Sequence, residues 1–498
     1  MRPPVAYWYP VFGGQNSDHT DRLRQDSELL EGVTVQNLLP DPVGKLVTRE
    51  GFSHVRATAI TGSTTITGMA HLGDLADSFI LVSNGKVWKD TANPPAEVTS
   101  GTALTAGSLN RFDIFNSFLH IVSQARDVPQ TVNASLTRAD LGGTPPYGLD
   151  VKSFGRRLHM FSPLYGGTTY RHRSMFTSSN DSQSAWTAPD TLNFLNYGRE
   201  GAKVNVLGGE VYADHLMAFT EDSLFPVYTT PNATLPFAFQ KDILAEDGGG
   251  PPIIHAVIKG NNRLSWVSKN FDVKELLGMS VQSVSLPLAV KSFLIGLSDS
   301  RRVFTVGWWE PKYRLACWAV SDGSDSTNQD VLAYHPDSRQ FYFLTLSVAS
   351  VAARTVSGEL RTVIGHYNGL FSYLFDGSTT GDLQTAASAI DALWTSPRLH
   401  HGLPNDMKKV PYLVFEFDPI GSETVTIQRR YDDDTSYGSF PEGGTFAMSG
   451  TDHGRVYVTV EKPYRYIQLQ VEDATSGERF RLLRIGVPAP RVIQVQAP

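Results

Sequence analysis

The sequence predicts an all-β protein, with a degenerate β-propeller of about seven blades followed by a C-terminal β-sandwich. Three observations support this prediction. Short apolar segments joined by tight turns recur along most of the chain, their spacing is close to that of propeller blades, and the last hundred residues change to longer alternating strands. Two-residue turns are typical of hairpins, and a repeat of roughly 40 to 50 residues is typical of four-stranded blades.

The predicted blades are recognised by their hairpins. Residues 79–82 and 86–89 flank Asn84-Gly85, the dipeptide that a type I′ turn favours. Similar pairs of strands surround Gly166-Gly167, Glu221-Asp222 and Asn368-Gly369. The apolar centres of the seven predicted units are Ile80, Leu119, Leu158, Leu216, Leu264, Leu315 and Phe371. Successive centres lie about 40 to 60 residues apart, which suits one blade each.

The chain divides into three predicted regions: an N-terminal arm (1–44), a propeller (45–385) and a C-terminal sandwich (386–498). Residues 385–393 read as a brief helix between the last two. From Trp394 onward, strands of about 7 to 10 residues alternate apolar and polar positions between Gly, Pro and Asp turns. Four or more such strands, each with one apolar face, indicate a sandwich.

The N-terminal arm is irregular but rich in aromatic residues. They are Tyr7, Trp8, Tyr9 and Phe12. Such a cluster docks either on a neighbouring molecule or on the chain's own propeller, and the sequence leaves both possibilities open.

Composition narrows the function classes. The 498 residues are 41% hydrophobic and 19% charged, with a net charge of −7, which argues against a surface built to hold phosphate backbones. The one cysteine, Cys317, excludes an internal disulfide and is expected to be a buried apolar residue. No apolar run approaches the roughly 20 residues of a membrane helix, and no secretory signal is recognised, so we expect no stable membrane insertion and folding in a cytoplasm.

The segment 179–186, SNDSQSAW, resembles the loop that ties blades together in sialidases. Ser179 and Asp181 can bond the amides of their own turn, while Trp186 fills the gap between hairpins. We interpret this segment as a structural staple. The alternative is a glycosidase, which requires clustered arginines and carboxylates. Arg156-Arg157 and Arg301-Arg302 are available, but Gln183 stands where that loop usually has Gly.

Other polar groups have structural interpretations as well. Asp432-Asp433-Asp434 could bind a hard cation, but a solvated, salt-bridged turn is favoured. His400-His401 and Arg171-His172-Arg173 are interpreted as exposed loop or lining residues rather than metal ligands. Trp308-Trp309 could stack a sugar or a base, and packing between blades is preferred.

Linear signatures of enzymes are missing from the sequence. It contains no GxSxG, HExxH, GxxxxGK[ST] or dinucleotide-binding motif. We therefore predict no catalytic, cofactor-binding or metal-binding residues and no cofactor.

The order of several segments along the chain resembles that in the propeller-containing tail hub or nozzle proteins of short-tailed bacteriophages, also known as DNA-stabilisation proteins. The matching segments are QNLLPDPVGKLVTREGF, GRRLHMFS with SSNDSQSAW, DGGGPPIIHAVIKGNNRLSWVS, WTSPRL with MKKVPYLVFEF, VTIQRRYDDD, and RYIQLQVEDATSGERFRLLRI. The resemblance extends over residues 35–486, and the first 30 residues match nothing in the family.

The resemblance implies a structural virion protein without chemistry of its own. It would be a subunit of a homo-oligomeric ring, a hexamer, in the viral tail beneath the portal and its adaptor. Tail fibres or tailspikes would dock on the ring, and the genome would leave through it without specific binding. An acidic wall suits that passage, because like charge lets a polyanion slide. Glu246-Asp247 or Asp432 to Asp434 could line it. The alternative is a glycan-binding or glycan-cleaving propeller of a receptor-binding part.

Overall fold

The molecule is almost entirely β-structure. The structure, a computed structural model, describes residues 5–15, 30–32, 34–40, 45–62, 65–165, 169–170, 174–186, 190–193, 205–232, 235–240, 243–245, 248–321, 326–376, 382–383, 387–401, 403, 405–418, 424–432, 434–447, 454–473 and 479–493. In that part of the chain, no helix is both long and apolar enough to cross a membrane.

Six strands precede the first blade, and five of them are only two or three residues long. They are β1 (Val5–Gln15), β2 (Leu30–Gly32), β3 (Thr34–Gln36), β4 (Leu38–Pro40), β5 (Leu46–Thr48) and β6 (Ser53–His54). None of them begins a blade. The first five belong to the sheets of the sandwich, and β6 belongs to the last blade.

Blades 1 to 4 follow in sequence order, and each is an antiparallel sheet built around four strands. Blade 1 contains β7 (Ile66–His71), β8 (Phe79–Ser83), β9 (Lys86–Lys89) and β10 (Ala96–Val98). Blade 2 contains β11 (Asn110–Phe115), β12 (Phe118–Ser123), β13 (Gln130–Asn133) and β14 (Arg138–Asp140). Blade 3 contains β15 (Asp150–Phe154), β16 (Arg157–Phe161), the small pair β17 (Leu164–Tyr165) and β18 (Thr169–Tyr170), β19 (Ser174–Thr177) and β20 (Asp190–Asn193). Blade 4 contains β21 (Val206–Tyr212), β22 (His215–Thr220), β23 (Ser223–Thr229), β24 (Phe237–Phe239) and β25 (Leu244–Ala245).

Blades 5 to 7 complete the propeller. Blade 5 contains β26 (Ile258–Gly260), β27 (Arg263–Val267), β28 (Val273–Leu277) and β29 (Ser280–Ser283). Helix α1 (Leu288–Gly296) leads to blade 6, with β30 (Val306–Glu310), β31 (Leu315–Val320), β32 (Asp330–His335) and β33 (Gln340–Thr345). Blade 7 contains β34 (Ser350–Val356), β35 (Glu359–Gly365) and β36 (Phe371–Tyr373). Single 3₁₀ turns cover Gly73–Leu75, Ile254–Ala256 and Arg302–Phe304.

Twelve further strands follow the propeller. They are β37 (Asp382–Leu383), β38 (Ala387–Ser388), β39 (Ala392–Thr395), β40 (Lys408–Lys409), β41 (Tyr412–Phe417), β42 (Thr424–Tyr431), β43 (Gly438–Ser439), β44 (Thr445–Ala447), β45 (Gly454–Thr459), β46 (Ile467–Asp473), β47 (Arg481–Pro488) and β48 (Arg491–Val492).

The predicted fold class is confirmed: a seven-bladed propeller is joined to a C-terminal β-sandwich. Six of the seven predicted apolar centres lie in the second strand of a blade, and the seventh, Phe371, lies in the third strand of blade 7. The hairpin at Asn84-Gly85 has φ angles of 51° and 73°, as a type I′ turn requires. A Cβ on Gly85 would also meet the carbonyl oxygen of Leu104. Both the positive φ angle and this close contact therefore favour glycine at position 85.

The ring of blades is closed by a strand from before the first blade. Strand β6 pairs with β36, so residues 53–54 form the outer strand of blade 7. His54 Nδ1 and His366 Nε2 lie 2.9 and 2.8 Å from the hydroxyl of Ser372, which fixes this pairing with side chains. Closing the sheet in this way protects the strand edge that an open blade would expose.

The sandwich consists of two sheets. One has the strand order β2-β1-β47-β41-β45, with β5 also paired to β47, and the other has β3-β39-β46-β42-β43. Their inner faces bury a common apolar core that includes Trp394, Phe415, Ile427 and Ile485. The two small pairs β37–β38 and β40–β48 lie outside these sheets.

The sandwich and the propeller share a sheet. Strand β3 pairs in parallel with β33, the last strand of blade 6, and on its other side with β39 of the sandwich. Blade 6 and the second sandwich sheet therefore form one sheet of ten strands. Because main-chain hydrogen bonds run across the boundary, the two lobes form a single structural unit.

Two sequence-based expectations differ from the structure. Residues 1–44 were predicted to form a separate arm, but β1 pairs along the sandwich strand β47 and also lies against β33 of blade 6. The helix predicted over 385–393 is also wrong, because Ala392–Thr395 forms a strand between β3 and β46. Pairing on both sides outweighs the weak helix propensity of this alanine-rich segment.

Candidate functional site at the propeller axis

The first strand of each blade lies nearest the axis, where neighbouring inner strands contact one another. A cavity of about 320 Å³ opens there, between blades 1, 2, 6 and 7. Its polar side chains are those of Thr67, His71, Asn110, Arg111, His255 and Ser350. Cavities on propeller axes are common places for ligands, so this one is the first to examine for function.

A cluster of charged residues adjoins this cavity, which we call the axial cluster: Arg111, Asp113, Asp150, Lys152 and Glu210. Arg111 Nε donates to Asp150 Oδ1 at 2.9 Å, and its Nη2 lies 3.5 Å from Glu210 Oε2. Lys152 Nζ lies 2.8 Å from the same oxygen of Glu210. Since these residues come from the inner strands of blades 2, 3 and 4, the cluster joins three consecutive blades.

Burial and pairing set the protonation states of the cluster. Burial alone would lower the pKa of Arg111 and of Lys152, but the neighbouring carboxylates outweigh it and raise both. For Glu210, burial favours the neutral form, and the charges of Lys152 and Arg111 outweigh it and lower the pKa. Two cations therefore face two paired carboxylates, Asp150 and Glu210, and the paired part of the cluster is neutral.

Burial is the main cause of the pKa shifts of Asp113, the fifth member of the cluster, and of the nearby His255. Burial raises the pKa of Asp113, whose carboxylate accepts a hydrogen bond from the backbone N–H of Ser153. Burial and the charge of Arg111 lower the pKa of His255 to about 3, so this imidazole is neutral at physiological pH. Its Nε2 lies 3.1 Å from the carbonyl oxygen of Asn110, and its Nδ1 has no hydrogen-bond partner among the described residues.

The charged groups of the axial cluster bond one another. A hydrolase needs a nucleophile beside a base, or two carboxylates held apart around a bond. Here Arg111 ties Asp150 to Glu210, and a backbone N–H, that of Gly209, donates to Asp150 Oδ2 at 2.9 Å. Across the part of the chain that the structure describes, no group of His, Cys, Asp or Glu could hold a metal ion.

The SNDSQSAW segment is placed as a staple between blades 2 and 3. Trp186 is buried against Phe115 and Val122 of blade 2 and against Leu158 of blade 3. Its indole N–H donates to the carbonyl oxygen of Gln183 at 2.7 Å. The backbone N–H of Ser179 donates to Ala185 at 3.1 Å, which closes the loop on itself.

The arginines considered for a glycosidase are not brought together. Arg156 pairs with Asp181 at the edge of blade 3, where its Nε donates to Oδ1 at 2.9 Å. Arg302 lies between blades 5 and 6, stacked 3.6 Å from the ring centroid of Phe271 and 2.6 Å from Asp299. Arg301 stacks on Phe304, and Arg157 Nη1 donates to the carbonyl oxygen of Ser178. None of the four lines the axial cavity.

The histidine pair was predicted wrongly. His400 and His401 are buried in the sandwich rather than exposed in a loop. His401 Nε2 lies 2.8 Å from the hydroxyl of Tyr464, and its Nδ1 lies 3.3 Å from that of Tyr9 in β1. Burial lowers the pKa of His401 to about 3, and the charge of Lys408 contributes. These contacts explain why the first strand lies on the sandwich.

The other residues singled out in the sequence take part in turns or in packing where the structure describes them. Asp432 accepts hydrogen bonds from the backbone N–H groups of residues 465 and 466, and Asp434 from that of Tyr431. These bonds form a closed turn, as expected. Trp309 packs over Gly260 of blade 5, so it lies between blades. Cys317 is buried, and burial raises its pKa. Arg171-His172-Arg173, Glu246-Asp247 and Asp433 lie outside the described residues.

Two polar features were not identified from the sequence. One is the axial cluster, whose signal is the alternation of charges at the start of blades 2 and 3, at 111 and 113 and at 150 and 152. The other is Arg49, which is 1% exposed at the joint between the lobes. Its guanidinium donates to Asp382 at 2.8 Å, to Asn37 Oδ1 at 3.0 Å and to the carbonyl oxygen of Thr345 at 3.0 Å.

The site and the fold define a structural class: a closed seven-bladed propeller, with an ion-paired axial cluster, fused to a sandwich. No family model and no curated protein matches the chain. Among solved structures, BamB from Moraxella catarrhalis is similar over 74% of this chain and 97% of its own, with 11% identity and a TM-score of 0.38. PorZ, a surface component of the type-IX secretion system of Porphyromonas gingivalis, is similar over 68% of this chain and 42% of its own, with 10% identity and a TM-score of 0.39. At these values, neither protein bears on what this chain does.

Proposed function

We propose that this chain is a structural subunit of the tail hub or nozzle of a short-tailed bacteriophage. Several copies, six by the family resemblance, form a ring below the portal and its adaptor. The ring retains the genome, conducts it during ejection and carries fibres or tailspikes. The proposal joins the resemblance of the sequence segments to the physical character of the molecule described above.

The observation that carries the proposal is the sheet shared by blade 6 and the sandwich. A protein that closes around a ligand usually needs domains that move relative to each other. Here β3 pairs with both lobes, and the buried Arg49 bonds residues from both sides of the joint. Pairing of this kind holds the propeller and the sandwich in one relative position, which suits a subunit of a ring around a passing genome.

Electrostatics and surface composition are consistent with this role. Each chain carries a net charge of −7, so a ring of several copies presents an acidic body that does not hold phosphate backbones. Rings also need apolar contact area between subunits. The outer face of α1 exposes Leu288 and Ile295, which lie two turns apart on one side of the helix.

Native mass measurement of the purified full chain tests the ring directly. We expect a discrete species of six copies that persists on dilution, because obligate ring interfaces bury on the order of 2,000 Å² or more. In the phage that encodes the chain, deleting the gene should leave filled heads that lose their DNA. Filled heads that keep their DNA without it would contradict the proposal.

A second candidate is glycan recognition at the propeller axis. It is favoured by the axial cavity, in which Arg111 and the neutral His255 could bond sugar hydroxyls. Arg302 cannot test this candidate, because it lies on Phe271 away from the axis. The variant Arg111→Met is the appropriate one. If the candidate is correct, acidic or neutral oligosaccharides should bind the wild-type chain and not this variant in calorimetric titrations.

A further inference from the structure

A second cavity, of about 360 Å³, lies between blades 6 and 7, at the opposite end of β30 from the axial cavity. We call it the blade 6–7 cavity. Its lining includes Glu310 at the end of β30, Lys312 in the following turn, Glu359 to Thr362 in β35, and Tyr373 to Asp376 after β36. Leu360, at its rim, is 51% exposed, so the cavity communicates with solvent.

Glu310 is the unusual residue of this cavity. Its side chain is 2% exposed, and only one of its two carboxylate oxygens is used. Oε1 accepts a hydrogen bond from the backbone N–H of Lys312 at 3.1 Å, whereas Oε2 is buried without a hydrogen-bond partner among the described residues. A buried acceptor without a donor is costly and rare in native proteins, and it calls for an explanation.

The surrounding charges already have partners of their own. Lys312 Nζ contacts Glu50, and Arg479 lies 3.7 Å from the other oxygen of Glu50. Arg361 lies 3.7 Å from Glu359. Asp376 accepts a hydrogen bond from the hydroxyl of Ser53 at 2.5 Å. The hydroxyl of Tyr373 is engaged by Arg354 at 2.9 Å. Among the side chains that line the cavity, the three carboxylates of Glu310, Glu359 and Asp376 face the two cations Lys312 and Arg361, so the formal charge of the lining is negative once Glu310 is ionised.

We propose that the blade 6–7 cavity binds an ammonium or guanidinium group, whose N–H donates to the free oxygen of Glu310. Such a group supplies both things that are missing at this carboxylate, a hydrogen-bond donor and a positive charge. The stems of Leu360, Leu374 and Phe375 offer an apolar wall for the attached alkyl chain. Two kinds of molecule carry such a cationic group: a free alkylamine, and a partner protein with a lysine or arginine side chain.

Protonation of Glu310 links this binding to pH. Burial raises the pKa of Glu310 to about 7, and the hydroxyl of Thr362 and the N–H of Lys312 oppose the rise only in part. Glu50 adds to the rise and Lys312 reduces it. Because a cation pairs with the ionised form, its affinity should increase about tenfold between pH 6 and pH 8.

The test uses calorimetric titration of the full chain with n-butylammonium, and with 1-butanol as the uncharged analogue. We expect the wild-type chain to bind butylammonium at pH 8 and not butanol. Glu310→Gln, which keeps the size of the side chain, should weaken binding by about tenfold or more. The same change at a remote carboxylate of blade 1, Glu97→Gln, should leave the affinity within about twofold of wild type.

Two further arms complete the experiment. Leu360→Trp fills the rim of the cavity without altering Glu310, and it should also abolish binding. This second variant keeps the proposal testable if the Gln variant misfolds.

Putrescine and Nα-acetyl-lysine methylamide distinguish the two kinds of ligand. Tighter binding of the first indicates a free diamine, and tighter binding of the second indicates a side chain. The proposal is overturned if wild type binds neither amine at tens of millimolar, if butanol binds equally well, or if Glu310→Gln binds unchanged. These outcomes do not depend on whether the chain forms a ring.

Discussion

Two arginines, Arg49 at the joint and Arg111 at the axis, are held by carboxylates in similar ways but serve different parts of the molecule. Arg49 is 1% exposed and bonds residues at 37, 345 and 382, which belong to the sandwich boundary, blade 6 and the segment after blade 7. The Arg111 side chain is 18% exposed, lies beside a cavity and bonds the next two blades in sequence. The comparison shows that one kind of ion pair serves two tasks. Arg49 joins segments that are distant in sequence across the boundary of the lobes, whereas Arg111 joins consecutive blades beside a cavity and also lowers the pKa of His255.

The largest effect is expected from Arg49→Met. This change removes the cation beside the buried Asp382 and one of the two donors to Asn37 Oδ1, which keeps the backbone N–H of Thr345, so the free energy of unfolding should fall by about 3 to 5 kcal/mol. Urea denaturation followed by fluorescence measures the loss. Because the joint is weakened, the transitions of the two lobes should also separate.

Arg56→Met provides the matched control for the joint. Arg56 also pairs with a buried carboxylate, that of Asp90, but its own side chain is 35% exposed and both residues lie within the propeller. We expect a smaller loss and a single transition. An equal loss of unfolding free energy for both variants would show that Arg49 stabilises the protein no more than an ion pair within the propeller does.

Glu310 contrasts with the carboxylates that pair with Arg49 and Arg111, because one of its oxygens is buried without a hydrogen-bond partner among the described residues. The variant Glu310→Gln measures what this buried carboxylate costs in stability. Burial raises the pKa of Glu310 from its usual value near 4.5 to about 7, so the folded state binds the proton more tightly than the unfolded chain. The stability contributed by the protonated group is therefore complete below about pH 4.5 and is lost as pH rises to about 7. At pH 8, the Gln variant should be more stable than wild type by about 3 kcal/mol, with no advantage at pH 4. Thermal denaturation at both pH values checks this, and a pH-independent difference would contradict it.

Arg111→Met should have an intermediate effect of about 1 to 2 kcal/mol. Glu210 keeps its contact with Lys152 and Asp150 keeps the N–H of Gly209, so neither carboxylate is left without a partner. The pKa of His255, which burial and the charge of Arg111 lower, should rise in this variant. Nuclear magnetic resonance of the imidazole measures that rise. An unchanged pKa would show that Arg111 does not act on His255.

The smallest effect is expected from Arg156→Ala in the SNDSQSAW loop. Arg156 pairs with Asp181, but the two side chains are 73% and 47% exposed, and such surface pairs contribute about 0.2 to 1 kcal/mol. Urea denaturation should show this small loss, which 1 M salt should largely remove. A loss above 2 kcal/mol would indicate that the pair, rather than the buried Trp186, holds the loop.

The parts of the fold that sequence reasoning could find are those encoded locally. Asn84-Gly85 marks a hairpin by itself, and Leu119 or Leu264 marks the buried second strand of a blade, because turn chemistry and alternation operate within a few residues. Strand β6, with two residues, has no such pattern and exists only because β36 is unpaired beside it. The first two residues of β39 were assigned to a helix for the same reason: the partners of this strand, β3 and β46, lie far away in sequence.

The candidate sites were harder to predict than the blades. The role of Arg49 depends on residues more than 290 positions away at 345 and 382, so nothing around position 49 distinguishes it from a surface arginine. Glu310 follows Trp308-Trp309 in a strand end and reads as an exposed residue before a Pro turn. Its burial results from the packing of β35 and β36 of the next blade, which the local sequence does not specify.

Single-particle imaging of the full chain at high concentration tests the central claim most directly. We expect closed rings of six copies in which every subunit has its propeller and sandwich in the same relative orientation, because the shared sheet and Arg49 fix the joint. Isolated subunits whose two lobes adopt varied relative orientations would contradict it.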